Sequence, residues 1–261
     1  MNLQLNNKVI IVSGGAKGIG EDIVRVLAEE MALPIVVGRN ENDNQKLVSE
    51  LLGKGLKAAF VTAELADPDA CKLVVDKIIA THGTIHGIVN NAGVNDNVGL
   101  QYGSYAGFIS SYHKNVVHYY LLVQHALPEL IKNEGSIVNI GSKVAETGQG
   151  DTSGYAAANG ARNALTREWA VELLKYNIRV NAVIVAECFT PLYAKWINTF
   201  DKPEKKLESI TQKIPLGKRM TTSQEIGDMV AFLLSEKSSH TTGQLVHVDG
   251  GYVHLDRAIL P

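Results

Sequence analysis

The stretch KVIIVSGGAKGIG, residues 8–20, decides the fold. A short apolar run leads into a turn with three glycines, and a helical pattern follows directly. This order of strand, glycine turn and helix N-terminus places backbone N–H groups and the positive end of the helix dipole against a pyrophosphate. We therefore expect a dinucleotide-binding unit at the start of the chain. The residues of this predicted cradle are Gly14, Lys17, Gly18, Ile19 and Gly20.

Seven short β-branched runs alternate with longer amphipathic stretches along the chain. The runs are continuously apolar, which is typical of strands buried on both faces of a parallel sheet. The alternation predicts a single α/β domain over residues 1–261, a Rossmann-type doubly wound parallel sheet of about seven strands with helices on both faces. The predicted strands are 8–14, 34–39, 57–62, 86–91, 135–142, 178–185 and 244–251.

Residues 186–222 break this rhythm. The segment contains Pro191, Pro203 and Pro215 and is too long for a plain connection between a strand and a helix. We expect it to be a substrate lid with helices of its own.

The composition is that of an ordinary soluble protein. Of 261 residues, 45% are hydrophobic and 20% are charged, and the formal charge is −2 without a basic block or an acidic tail. Nothing in this pattern suggests a nucleic-acid or membrane partner. The N-terminal residues lack the basic start and long apolar stretch of a signal peptide, and two cysteines are too few for a disulfide framework. We expect a cytoplasmic protein without a metal site.

Further motifs follow the glycine turn in a fixed order: NNAG at 90–93, Asn115, Ser142 in NIGS, Tyr155, and VDGGY at 248–252. Together with the Gly-x-x-x-Gly-x-Gly spacing, they resemble the short-chain dehydrogenase/reductase family over essentially the whole chain. The resemblance implies an NAD(P)-dependent oxidoreductase that is usually a tetramer, here a homotetramer. It places Asn91, Ala92 and Gly93 along the cofactor, and Glu64 with Leu65 near the adenine.

The choice of cofactor follows from charge. An acidic residue at the end of the second strand would accept a hydrogen bond from the ribose 2′-OH of NAD and repel a 2′-phosphate. This chain has Arg39 there instead, and Lys17 in the glycine turn. Two cations suit the extra phosphate of NADP through charge-assisted hydrogen bonds. We expect NADP, with NAD as the alternative. The other interpretation, that Arg39 and Lys17 are only solvated surface charges, stays open.

By the family resemblance, Tyr155 is the acid/base, Ser142 holds the substrate oxygen and Asn115 completes a water relay. The family has a lysine one helical turn after the tyrosine, where this chain has Asn159. A free tyrosine titrates near pH ~10, and a cation within reach lowers an acid's pKa by roughly 1–3 units. Asparagine keeps one hydrogen bond to the ribose but supplies no charge. We therefore expect catalysis roughly 10- to 1000-fold slower than in a lysine-bearing version, with cofactor binding less affected.

Two other cations lie near this motif in the sequence. Arg162 follows Tyr155 by seven residues, about 10 Å along the helix axis, and Lys143 adjoins Ser142 on a strand whose neighbours point to opposite faces. We expect neither to replace the lysine. Three explanations of Asn159 stay open: an introduced inactivating change, a protein that has lost or altered catalysis, or an enzyme that works slowly with its relay rearranged.

Several segments look like those of a sugar-oxidising subgroup of the family, the L-fucose dehydrogenases, which oxidise the C1 hydroxyl of a free sugar to a lactone. These segments are NNAGVND, SKVAETGQGDTSGY, AECFTPLYAKWINTF and VDGGYVHLDRA. We expect an L-fucose-like aldose as substrate. The alternatives are another secondary alcohol or ketone, of steroid or 3-oxoacyl type, and a cofactor-binding protein without turnover. The predicted substrate contacts are Asn95, Asp96, Ser142, Glu146, Gln149, Tyr155, Glu187, Trp196 and His254, the last from a terminal HLDRA segment expected to close over a neighbouring subunit's pocket.

Overall fold

A sheet of seven parallel strands lies at the centre of the computed structural model, which describes residues 2–256. The strands follow the order β3-β2-β1-β4-β5-β6-β7. Both the fold class and the seven predicted strands are confirmed. The strands are β1 Val9–Ser13, β2 Leu33–Gly38, β3 Ala59–Thr62, β4 Gly87–Asn90, β5 Ser136–Ser142, β6 Arg179–Val185 and β7 Leu245–Val248.

Helices cover both faces of this sheet. One apolar cluster packs α1, α2 and α10 on one face, and a second packs α3, α5 and α7 on the other. No helix in the described part of the chain is both long enough and apolar enough to cross a membrane. The helices are α1 Ile19–Glu29, α2 Glu41–Gly53, α3 Pro68–His82, α4 Tyr105–Tyr112, α5 His118–Lys132, α6 Val144–Thr147, α7 Ser153–Glu172, α8 Pro191–Ile197, α9 Pro203–Thr211 and α10 Ser223–Leu234.

The strand order creates a crevice at the carboxyl ends of β1 and β4. The chain builds β1, β2 and β3 outward in one direction and then returns to place β4 on the other side of β1. Ile11 of β1 is therefore paired with Ile35 of β2 on one side and with Ile88 of β4 on the other. In open α/β sheets, ligands bind at such a reversal point. The glycine turn and the NNAG motif follow β1 and β4 and lie at this point.

The segment 186–222 contains α8 and α9, as the lid prediction requires, and its two ends lie together. Cys188 and Thr221 form a parallel bridge, and the Thr221 N–H donates to the Glu187 carbonyl at 3.0 Å. The Thr221 hydroxyl also donates to the carbonyl of Val248 at the end of β7, at 3.2 Å. The segment therefore leaves and rejoins the carboxyl edge of the sheet at one point. Its role as a lid stays a prediction.

Candidate functional site

The glycine turn after β1 forms an open cradle. Gly18 is the N-cap of α1 with a φ of 58°, and no side chain caps the first N–H groups of the helix. A Cβ on Gly20 would lie 2.2 Å from the carbonyl oxygen of Gly14, so only glycine fits this close approach. The uncapped N–H groups and the helix dipole suit an anion. The residues present therefore fit the pyrophosphate of a dinucleotide.

Hydrogen bonds join the NNAG motif to this cradle. The Ser13 hydroxyl accepts from the N–H groups of Asn91 and Ala92 at 2.9 and 3.1 Å. The Asn91 amide donates to the carbonyls of Ser13 and Gly14 at 3.0 and 3.2 Å. The structure thus brings the predicted residues of the two loops together, and Gly93 follows them at the same edge.

The two cations of the cofactor prediction lie at the surface, each beside an acidic partner. Lys17 Nζ is 2.6 Å from Asp43 Oδ2, and Arg39 is 3.6 Å from Glu64. The Arg39 side chain is 81% exposed, so it is free to turn towards a ligand. Glu64 lies next to Arg39 because β2 and β3 are neighbours. The Leu65 side chain is packed in the core, so only its backbone can face a cofactor.

Asn115 lies in a π-helical turn, His113–Val117, between α4 and α5. Its buried amide donates to the carbonyls of Val94 and Ser111 at 3.0 and 2.9 Å and accepts from the Val94 N–H at 2.8 Å. The side chain is therefore used to hold the loop after β4. Its main-chain carbonyl instead points to Arg162, whose Nε donates to it at 2.7 Å.

Arg162 is a buried cation to which sequence reasoning gave little weight. The side chain is buried on α7, 3% exposed, and its guanidinium lies 4.3 Å above the Tyr119 ring. The sequence-based expectation used the axial rise of the helix, about 10 Å from Tyr155, and a long side chain does not stay level with its own Cα. A signal was present, since Arg162 shares one helix face with Asn159 and Tyr155. Its hydrogen bonds go to Asn115 O and Oδ1, Ile140 O, Asn159 Oδ1 and Ala92 O, at 2.7–3.4 Å.

All of these acceptors are neutral, and within residues 2–256 no carboxylate forms an ion pair with Arg162. The charge of Arg162 shifts the pKa values of neighbouring groups. Burial, and then the Arg162 charge, lower the pKa of His118 to about 4. Burial raises the pKa of Tyr119 far above its usual range; Arg162 opposes that rise and Tyr155 adds to it. Arg162 is thus a buried source of positive potential on the helix that carries Tyr155.

Asn159 is part of the same arrangement. It is fully buried, its amide donates to the Tyr155 carbonyl at 2.9 Å, and its oxygen accepts from Arg162 at 3.1 Å. The amide is therefore engaged inside the protein, and the ribose hydrogen bond expected from the sequence would compete with these contacts. Ser142 ends β5 and Tyr155 lies in the first turn of α7, and both residues stay partly accessible.

A buried polar network, also missed from the sequence, holds α7 on the sheet. Asn90 and Asn139 are paired in register on β4 and β5, and the Asn90 amide donates to Asn139 at 2.9 Å. The Asn139 amide then donates to Thr166 at 2.9 Å. An asparagine in the middle of an apolar strand was the available signal. This network sets the position of the helix that carries Tyr155.

The predicted substrate residues fall into separate places. Asp96 accepts from the Ser111 hydroxyl at 2.9 Å and lies 3.5 Å from Lys114 Nζ. Asn95 accepts from the Asn97 N–H at 3.2 Å and shapes the loop. Their side chains thus form a polar wall between the NNAG motif and the Asn115 turn.

On the lid side, Glu187 forms a largely buried ion pair with Lys143, so this lysine is held beside the lid. Burial, and then the Glu187 charge, raise the pKa of Tyr193. Trp196 is 39% exposed and stacks edge-on between Tyr193 and Phe200.

The remaining predicted contacts follow Ser142 or lie near the end of the described chain. Gln149 is exposed after α6. Glu146 and His254 come together with His247. Of the HLDRA segment, Arg257 and Ala258 lie outside the described residues. Substrate contact stays a prediction for all of these residues.

The cradle geometry predicts the effect of one added methyl group. Gly20→Ala should weaken NADPH binding by at least ~10-fold, because its Cβ would push the Gly14 carbonyl out of the turn. Gly53→Ala on α2 is the matched control, since its Cβ meets nothing within 4 Å. NADPH fluorescence titration and thermal melting of both variants measure the effect. Equal affinity in the two variants would contradict the placement of the cofactor.

Comparisons with known proteins agree with this geometry. A family model described as "Enoyl-(Acyl carrier protein) reductase" matches residues 14–253. The 3-oxoacyl-(acyl-carrier-protein) reductase FabG of Thermotoga maritima is 33% identical over 96% of this chain and 100% of its own length. The L-fucose dehydrogenase of Rattus norvegicus is 30% identical over 94% of this chain and 89% of its own.

Two solved structures share the whole fold. The crystal structure of Cj0485 dehydrogenase has a TM-score of 0.94 at 43% identity and covers 100% of both chains. Ligand-free aldohexose dehydrogenase of Thermoplasma acidophilum has a TM-score of 0.89 at 28% identity and covers 99% of each chain. The family match and these relatives cover the cradle, the Ser142 and Tyr155 positions and the lid segment alike. The chain belongs to the short-chain dehydrogenase/reductase family and is an oxidoreductase of that type.

Proposed function

We propose that the protein is an NADP(H)-dependent dehydrogenase that oxidises the C1 hydroxyl of a free aldose, of the L-fucose kind, to a lactone. The observation that carries the proposal is the buried charge of Arg162 on α7, the helix that also presents Tyr155. The choice of a sugar is supported by the polar wall of Asn95 and Asp96 and by the names of two relatives, L-fucose dehydrogenase and aldohexose dehydrogenase. The homotetramer and the cytoplasmic location remain predictions.

Each residue of the site has a distinct part in this reaction. Bound NADP+ would supply the hydride acceptor at the nicotinamide. Tyr155 takes the proton of the C1 hydroxyl, and Ser142 holds the same oxygen by a hydrogen bond. The hydrogen on C1 leaves with its electron pair, and the carbon becomes the lactone carbonyl. The products are the lactone, the reduced cofactor and one proton.

Arg162 supplies a buried positive charge on α7, the helix that carries Tyr155. A guanidinium does not lose its proton in proteins, so it acts by its field and not as a proton carrier. It also donates to the carbonyl of Asn115, the residue that the family resemblance places in a water relay. Of the three explanations of Asn159, we therefore propose the rearranged site, in which a neutral residue at 159 accepts from the guanidinium.

Removing the charge should slow catalysis more than it weakens binding. We expect Arg162→Gln to lower kcat by roughly 10- to 1000-fold, the range for loss of a cation near an acid. The Kd for NADPH should change by less than about 3-fold, because the phosphate cradle is untouched. Arg167→Gln, which removes an exposed charge from the same helix, is the control.

A double variant separates this role from simple unfolding. Arg162→Gln with Asn159→Lys moves the cation one turn back along α7 and should recover at least ~10-fold in kcat over Arg162→Gln alone. Thermal melting accompanies each assay. A double variant that melts like Arg162→Gln and regains no activity would contradict the role of Arg162.

A second candidate is reduction of a 3-oxoacyl thioester. FabG of Thermotoga maritima is at least as similar to this chain as the sugar dehydrogenases are. The lid also presents apolar side chains that suit an acyl chain, since Phe189 and Leu192 are 52% and 53% exposed. The polar wall at Asp96 favours the sugar.

One assay separates the two candidates. We expect NADP+-dependent absorbance at the nicotinamide band with an aldose panel that includes L-fucose, and lactone as the product. Acetoacetyl-CoA with NADPH should turn over at least ~100-fold less efficiently in kcat/KM. An acyl chain cannot form hydrogen bonds with the polar wall, so the polar groups of the wall would be left unpaired. Reduction of the thioester without oxidation of any aldose would overturn the sugar assignment.

The preference for NADP depends on Arg39. We expect Arg39→Ser to weaken NADPH binding by roughly 10- to 100-fold through loss of a charge-assisted contact with the 2′-phosphate, and to change NADH binding by less than about 3-fold. Arg219→Ser removes another exposed, ion-paired arginine, one on a different part of the surface, and serves as the control. Equal losses for NADPH and NADH would contradict the assignment.

A further inference from the structure

Glu146, His247 and His254 form a cluster of possible metal ligands, called here the Glu–His–His cluster. Glu146 lies on α6, His247 on the edge strand β7, and His254 in the turn that follows β7. One ligand atom from each residue lies within 4.8 Å of the others. Because 101 residues separate Glu146 from His247, no local spacing in the sequence indicates this cluster.

The cluster is partly preformed. His247 Nε2 is 3.1 Å from Glu146 Oε2, and the rings of His247 and His254 meet edge to face with centroids 4.3 Å apart. The other oxygen of Glu146 accepts from the Asn163 amide at 3.4 Å, an outer contact that orients the carboxylate. The side chains of His247 and Glu146 are only 15% and 24% exposed, so neither rotates freely in solvent.

We propose that the Glu–His–His cluster binds one divalent transition-metal ion of the Zn²⁺ class, with water completing the coordination. Imidazole nitrogens and a carboxylate oxygen are ligands that such ions prefer. Bonds of ~2.0–2.1 Å in a tetrahedral arrangement put neighbouring ligand atoms about 3.3 Å apart. The Glu146–His247 pair already matches this separation, and His254 needs a shift of at most about 1.5 Å.

An open cleft gives the ion access. Arg167 and Gln244 line it together with the cluster. The charge of Arg167 opposes a cation, and the carboxylate of Glu146 offsets that charge. The competing arrangement is a metal-free one, in which Glu146 and His247 simply share a hydrogen bond.

The ion would link the turn after β7 to α6, the helix that carries Glu146. Glu146 lies between Ser142 and Tyr155 in the sequence, so the ion would fasten the C-terminal turn to the segment that joins these two residues. The role is structural, and no step of the proposed oxidation passes through it. The test of this inference is separate from that of the proposed function, because it measures metal binding and thermal stability and no turnover.

Metal titration of the chelator-treated protein tests the proposal. We expect Co²⁺, used as the coloured probe, to give a visible d–d absorption that saturates at one ion per chain and is displaced by Zn²⁺. Zn²⁺ at about 100 times its Kd should raise the Tm by about 5 °C. His254→Ala should weaken Co²⁺ binding by ~100-fold or more and leave the Tm in chelator unchanged, since this residue is exposed.

Two variants keep the test decisive. Glu146→Gln should also lose Co²⁺ binding, because it replaces the charged ligand with a neutral amide. His240→Ala removes an exposed histidine outside the cluster and should bind Co²⁺ like the unmodified protein. The proposal is overturned if Co²⁺ shows no saturable binding, or if His254→Ala and Glu146→Gln bind it as tightly as His240→Ala does.

Discussion

The buried guanidinium of Arg162 is the constraint on which the rest of the site depends. A charge removed from water costs several kcal/mol unless hydrogen bonds compensate for it. Here the compensation comes from neutral oxygens and the face of Tyr119. Those oxygens belong to the loop after β4, the π-helical turn, β5 and α7. Displacing any one of these elements would leave an N–H group of the Arg162 guanidinium without an acceptor. The buried charge and the local fold therefore depend on each other.

Asn159 takes part in this constraint. Its oxygen is one acceptor of the guanidinium and its amide returns to the Tyr155 carbonyl. A lysine at the same position would remove an acceptor and place a second cation against Arg162, a pair of like charges in a region of low dielectric. A lysine at position 159 is therefore unfavourable in this arrangement of Arg162. In the proposed site, the positive charge comes from a different position on the same helix.

Charged pairs of two kinds surround this centre. Lys143 and Glu187 are sheltered and join the end of β5 to the start of the lid segment, while the Arg39–Glu64 pair is exposed. Exposed pairs contribute little stability, and their members remain free to change partner. The exposed Arg39–Glu64 pair thus suits a residue that must turn towards a ligand. The buried Lys143–Glu187 pair suits a rigid part of the site. The burial of each pair follows from its place, at the base of the lid or at the outer edge of the sheet.

The seven strands and the glycine cradle were determined by the sequence alone, because both depend on local patterns: continuous apolar runs, and the spacing of Gly14, Gly18 and Gly20 at a helix start. The family motifs also predicted which loops meet, since parallel strands bring their carboxyl ends to one edge. Only the tertiary structure decided the path of the Arg162 side chain, the Asn90–Asn139–Thr166 network and the Glu–His–His cluster. The physical reason is the same in each case: these contacts join residues on different elements, and they depend on side-chain reach and burial, which no periodicity in the chain records.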